Sequence, residues 1–224
     1  MINYILTRSS RKSTGIYVRD GTVEVRAPLK QPKQQIDQFV LSKEEWIQKI
    51  ITKQKARMKQ WDSFIVDYGS KILWLGKPYP IVSRNIAKVY FDGNIFYMPL
   101  NLTPEQIKAA CIQKYRQLAT MHFNLRTCYY SAQMGVEPSK IKVNSAKTRW
   151  GSCSSKKNIN FSWRLAMADE SLIDYVIVHE LAHLTEMNHS PRFWAIVKSV
   201  LPDFIERKKE LQAFQRRIAH ENWG

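Results

Sequence analysis

A chain of 224 residues with 44% hydrophobic and 12% aromatic content can bury a real core as one large or two small domains, and reads as globular. No apolar run approaches about 18 residues, and the opening MINYILTRSSRKS lacks the apolar middle of a signal peptide, so the expectation is a cytoplasmic protein that does not engage a membrane. The formal net charge of +16, from 35 Lys and Arg against 19 Asp and Glu, favours a polyanionic partner such as nucleic acid, with solubility alone as the plainer explanation.

The chain opens with strand signals. Residues 16–26 alternate around Asp20-Gly21, a pair suited to a two-residue hairpin turn. After Pro28 and Pro32, the apolar positions Ile36, Phe39, Val40, Trp46, Ile47, Ile50 and Ile51 predict one amphipathic helix ending in the basic run from Lys53 to Lys59. Residues 73–79 and 89–97 read as further strands, the second turning at Asp92-Gly93. Thr103-Pro104-Glu105-Gln106 carries a capping box with proline at the first helical position, and predicts a long helix that backs the later part of the chain and stops before Gly135 and Pro138. His122 falls in that helix and reads as structural. Residues 140–143 and 158–164 look like strands flanking a polar loop from Ser152 to Lys157. The element order predicts an α+β fold. A mostly β module over residues 1–98 contains the one amphipathic helix, and residues 99–224 form a helix-rich module with a small sheet.

Residues 179–189, HELAHLTEMNH, hold three of the five histidines. On an α-helix, residues four apart are separated by about 40° around the axis and one turn along it, so His179 and His183 project from one face and can grip one ion. Zn²⁺ suits neutral imidazole, and a catalytic zinc takes three protein ligands with a position left for water. Glu180 is placed to act on that water. Ser171, with Asp174 three residues on, predicts the start of this helix, and Asn188 its end. Its apolar residues cover more than half the circumference, which implies burial. His189, in the turn before the Ser190-Pro191 helix start, can fold back as third ligand; Glu186, His220 or another carboxylate are the alternatives. Cys111, Cys128 and Cys153 have no CxxC spacing, which argues against a disulfide framework and a cysteine-held zinc.

From Lys140 to Arg164 there are seven basic residues and no acidic one, whereas 165–190 holds five acidic and no basic, so a basic wall beside the metal helix is expected. Arg149, Lys156, Lys157 and Asn160 are its candidate substrate-binding residues, and Arg149 is also a candidate for the oxyanion partner. Trp150, Gly151 and Trp163 read first as packing residues, with a place in the substrate cleft as the alternative. A strand beside the metal cleft can pair its free edge with an extended peptide. The positive charges of the last helix, Arg207-Lys208-Lys209 and Arg216-Arg217, read as a solvated face.

The segments TRWGSC (148–153), INFSWRL (159–165), DYVIVHELAHL (174–184) and NHSPRFW (188–194), with the N-terminal strands, resemble the YgjP-like metallopeptidase family over nearly the whole chain. More distantly, HExxH followed by five residues and His is similar to the SprT-like proteases, members of which act on proteins crosslinked to DNA. The resemblance implies a zincin-like catalytic module in which His179, His183 and His189 bind one Zn²⁺ per chain and Glu180 is the general base. It also implies a protein or peptide substrate, including nucleic-acid-associated proteins. Two other classes fit the same residues: a metal-dependent nucleoside triphosphate pyrophosphohydrolase that grips phosphate with basic side chains, and a nucleic-acid-binding module with a structural metal.

Overall fold

The predicted N-terminal hairpin forms in the computed structural model, which describes residues 2–19 and 21–223. Strands β1 (Ile5–Ser9), β2 (Gly15–Arg19) and β3 (Thr22–Pro28) make a sheet in the order β1-β3-β2, with β3 parallel to β1 and antiparallel to β2. Asp20 of the predicted turn lies outside the described residues; Gly21 has φ +78°, and Arg19 pairs with Thr22 around the turn. Alternation sets the faces of β3. Val23, Val25 and Ala27 are buried, and they form one core with Ile36 and Val40 of α1 (Lys33–Leu41) and Ile47 of α2 (Glu44–Asp62). The single amphipathic helix expected here is two. Lys43 leaves helical geometry at φ −112° and ψ 10°, and the Ser42 hydroxyl donates to the Phe39 carbonyl at 2.8 Å, closing α1. These elements and residues 220–222 form one compact unit.

The second unit comprises residues 65–219 and 223. The segment read as one strand over 73–79 is a hairpin, β4 (Lys71–Trp74) and β5 (Lys77–Ser83). Leu75 and Gly76 both take positive φ, 48° and 78°, as a type I′ turn requires. With β6 (Tyr90–Phe91) and β7 (Phe96–Met98) they form a sheet in the order β4-β5-β7-β6. Packing divides the chain after Phe64, whereas the sequence changes character near 98. The physical reason is that these strands are fastened to the helix-rich part of the chain: the Tyr115 hydroxyl donates to the Leu73 carbonyl, and Leu75 N–H to the Ala166 carbonyl at 2.9 Å.

Helix α3 (Pro104–Met134) is capped as expected, Gln106 N–H donating to Thr103 Oγ1 and Thr103 N–H to Gln106 Oε1, and it ends at Gly135 with φ +63°. Its buried residues recur nearly every four positions, at Ile107, Cys111, Tyr115, Ala119, Phe123 and Thr127. That stripe lies against β8 (Lys140–Asn144), the short 3₁₀ turn over 163–167 and α4 (Glu170–Ala182). Part of the expected polar loop is a third strand: β9 (Gly151–Cys153) pairs antiparallel with β10 (Asn158–Ser162), giving a sheet ordered β8-β10-β9. Helices α5 (Pro191–Val200) and α6 (Phe204–Arg217) follow. The fold is α+β. Trp163 is core, stacked on Tyr115 at 5.3 Å and edge-on to Trp223 at 6.0 Å.

Helix α4 is apolar on every side because α3, α5, α6 and β9 surround it. It begins at Asp169, ahead of the expected Ser171, and Asp174 does not serve a capping box. Asp174 accepts from Arg126 Nε and Nη2 of α3 at 2.8 and 2.6 Å and from the Tyr130 hydroxyl at 3.0 Å, and this pairing holds the Arg126 guanidinium above its usual pKa. Replacing Arg126 with Met would strand the buried carboxylate and is expected to cost about 3–5 kcal/mol. Urea unfolding should show that loss for Arg126→Met and substantial recovery in the Arg126→Met/Asp174→Leu double variant.

Candidate active site

The C-terminal half of α4 carries the site. The helix stops at Ala182, six residues before the expected Asn188, with His183 as C-cap still in helical geometry at φ −66° and ψ −17°. His179 and His183 therefore keep their one-turn spacing while the chain after His183 is free to turn. Leu184 and Thr185 N–H tighten onto the Leu181 and Ala182 carbonyls, and the Glu186 carbonyl comes back to 3.1 Å from His183 Nδ1. A carbonyl only accepts, so Nδ1 carries the proton and Nε2 keeps its lone pair for a ligand. Glu186, a candidate third ligand by sequence, thus contributes its backbone.

His189 returns to the helix. Its Nε2 lies 3.0 Å from His179 Nε2, and the donor atoms of His179, His183 and His189 all fall within 4.8 Å of one another. Ligand nitrogens around a tetrahedral zinc at about 2.0–2.1 Å are about 3.3 Å apart, so this donor set fits a metal ion. Burial drives the His179 imidazole down to about 3, helped by His183, His189 and Lys208, so it is neutral and able to bind a cation. The Ser190 hydroxyl caps α5 by accepting from Phe193 N–H, with Pro191 in the first turn. That cap sets Phe193 against all three imidazoles, with ring centroids 4.6 to 4.9 Å away, and stacks Trp194 on His189 at 5.7 Å.

Glu180, beside the first histidine, is 5% exposed. Burial raises its carboxyl to about 8, opposed by the nearby Arg149 charge, and a cation at the three imidazoles would act in the same direction as Arg149. The side chain lies against the first residue of β9. A Cβ on Gly151 would come within 2.5 Å of Glu180 Oε1 and 2.7 Å of its Cγ, so only glycine admits the carboxylate there.

Of the other expected site residues, Arg149 reaches Glu180 electrostatically. Lys156 and Lys157 sit in the exposed turn between β9 and β10, about 10 Å along the hairpin from Gly151. Asn160 pairs with Ser152 within that sheet. None of these three lines the cavity of about 250 Å³ that opens beside His179 and Glu180. Trp150, Gly151 and Tyr175 do line it, together with Lys208 of α6. The Tyr175, Phe193 and Trp194 positions were readable only as apolar helix faces, and Lys208 as one charge among several. In metal analysis, His179→Ala and His183→Ala are each expected to lose the bound ion. His189→Ala, at an exposed position, should bind it more weakly and keep the fold.

A model of the YgjP-like family, metallopeptidase domain, matches residues 12–214. Among solved structures the chain is similar to the metallopeptidase zymogen of Pyrococcus abyssi abylysin, at 21% identity over 41% of this chain and 92% of that one, with a TM-score of 0.38. It is also similar to the metallopeptidase zymogen of Methanocaldococcus jannaschii jannalysin, at 23% identity over 43% and 97%, with a TM-score of 0.37. A comparison with curated proteins gives no match. No helix among the described residues is long and apolar enough to cross a membrane. By the match over residues 12–214, the chain belongs to the YgjP-like family of metallopeptidases.

Proposed function

We propose that this protein is a peptidase dependent on one zinc ion per chain, held by His179, His183 and His189, with Glu180 as general base. The observation that carries this reading is the convergence of three imidazoles, their donor atoms within 4.8 Å of one another, beside a buried carboxylate. An all-imidazole set suits zinc, whereas magnesium prefers carboxylate and phosphate oxygens, which also weighs against triphosphate hydrolysis. When bound there, zinc supplies Lewis acidity that acidifies water and polarises a carbonyl. Glu180 takes the proton from the attacking water on its carboxylate and returns it to the leaving amine. Burial raises the proton affinity of this carboxyl above that of an exposed glutamate, while Arg149 and a cation at the imidazoles oppose the rise and favour the ionised form that accepts the proton.

Strand β9 supplies the bench for the substrate. It is an edge strand in the order β8-β10-β9, and it starts at Gly151 against Glu180. An extended peptide paired to its outer edge would run past the carboxylate with its amides held by backbone alone, which gives sequence-tolerant binding. The +16 charge supports proteins associated with nucleic acid as targets.

Glu180→Gln is expected to keep its zinc and lose hydrolysis of unfolded protein by about 10²- to 10⁴-fold. Gly151→Ala displaces the same carboxylate while leaving the ligands alone, so it too should keep zinc and lose at least about tenfold. Turnover of Glu180→Gln at the wild-type rate would end the base assignment, and zinc-free wild type with full activity would end the metal assignment. If nucleic acid recruits the substrate, DNA should stimulate cleavage of bound basic proteins at about 50 mM salt and not at 200 mM.

A further inference from the structure

Lys208 faces the cavity beside His179 and Glu180 from α6. No carboxylate is spaced to pair with it on its own helix: three and four residues away stand Ile205, Leu211, Phe204 and Gln212, while Glu206 and Glu210 at two residues are on other faces. Its contact among the described residues is with an aromatic ring, the Nζ lying 4.7 Å from the Trp194 centroid. Trp194 is itself stacked on Phe204 at 5.4 Å and on His189 at 5.7 Å, so the ammonium rests on a ring in contact with a candidate metal ligand. The charge is felt at His179. A fixed cation beside a cation-binding cluster is unfavourable until an anion joins them.

The rest of the cavity says which anion. Glu180 is its one acidic residue, and Trp150, Tyr175 and Leu211 make its wall apolar, with Gln212 and Gln215 as neutral hydrogen-bonding groups. A polyphosphate would call for several cations, and this wall contributes one. We infer that the cavity is a substrate subsite in which Lys208 receives a carboxylate, borne by an Asp or Glu side chain next to the cleaved bond or by the C-terminus of the peptide. This rests on the peptidase reading above. Lys208 serves here to select the substrate, the amides completing the carboxylate's hydrogen bonds and the aromatic wall holding its stem.

The test uses the zinc-loaded full chain and fluorogenic peptides in matched pairs, Glu against Gln at each position and free acid against amide at the C-terminus. Wild type is expected to favour the acid of one pair by about ten- to a hundredfold in kcat/KM, mainly through KM, the span of a charge-assisted hydrogen bond. The pair that shows the preference identifies the source of the carboxylate. In Lys208→Gln the ratio should fall to near one, and in Lys208→Arg it should persist. An unchanged ratio in Lys208→Gln, or an equal fall in kcat for every peptide, would overturn the inference. If wild type cleaves no peptide, the peptidase reading fails separately, and tryptophan fluorescence of Glu180→Gln titrated with the same peptides decides the subsite. Tighter binding of the acid, lost on adding Lys208→Gln, would support it; equal binding would overturn it.

Discussion

Burial of α4 is the constraint on which the rest depends. On a helix surrounded by α3, α5, α6 and β9 each uncompensated buried polar atom costs about 1–3 kcal/mol, so the polar side chains it carries are pressed into pairings or into the site. At the N-terminal end the pairing is structural, with Asp174 locked to Arg126 and Tyr130. Near the C-terminal end, His183 gives its Nδ1 proton to the Glu186 carbonyl, and the nitrogens left over converge on a common point. Among the described residues, none is a hydrogen-bond partner of the buried His179 Nδ1.

Low dielectric does the electrostatic tuning. The same burial that pushes His179 down to about 3 pushes Glu180 up to about 8, because in both cases the charged form loses its water. One imidazole is thereby kept as a neutral donor and one carboxyl is brought near neutrality, on adjacent residues of one helix. Gly151 sets how closely β9 can approach that carboxyl, and the edge of β9 begins at the point where it stops. The proposed general base and the proposed substrate strand are so joined by a contact that a single methyl group would disrupt.

Much of the architecture was legible because it is local. The capping box at Thr103, the left-handed Gly135, the Ser190-Pro191 helix start and the two strands bracketing residues 20–21 all derive from residues within four positions of one another. Local patterns misled where they ran together. Ile36 to Ile51 keeps a helical period across the break at Ser42-Lys43, and residues 73–79 keep a strand-like composition across a turn whose first residue is Leu75, an unexpected choice for positive φ. The start of α4 was misplaced because Asp174, which resembles a cap partner, is committed to a residue 48 positions away.

The sequence by itself determined that His179 and His183 share a helix face with Glu180 between them, because spacing of four on an α-helix is a property of the backbone and needs no partner. It also made that helix a buried one. Only the tertiary structure decided that His189 comes within 3.0 Å of His179, that the helix ends at Ala182 to let it return, and that Phe193 packs against all three rings. Those contacts join a loop and a second helix to the first. In the same way Gly151, which the sequence left between a packing and a cleft role, and Lys208, one cation among 35 Lys and Arg, took their places only through packing. Periodicity reports which side of an element is buried, and it carries no information on which distant element is buried against it.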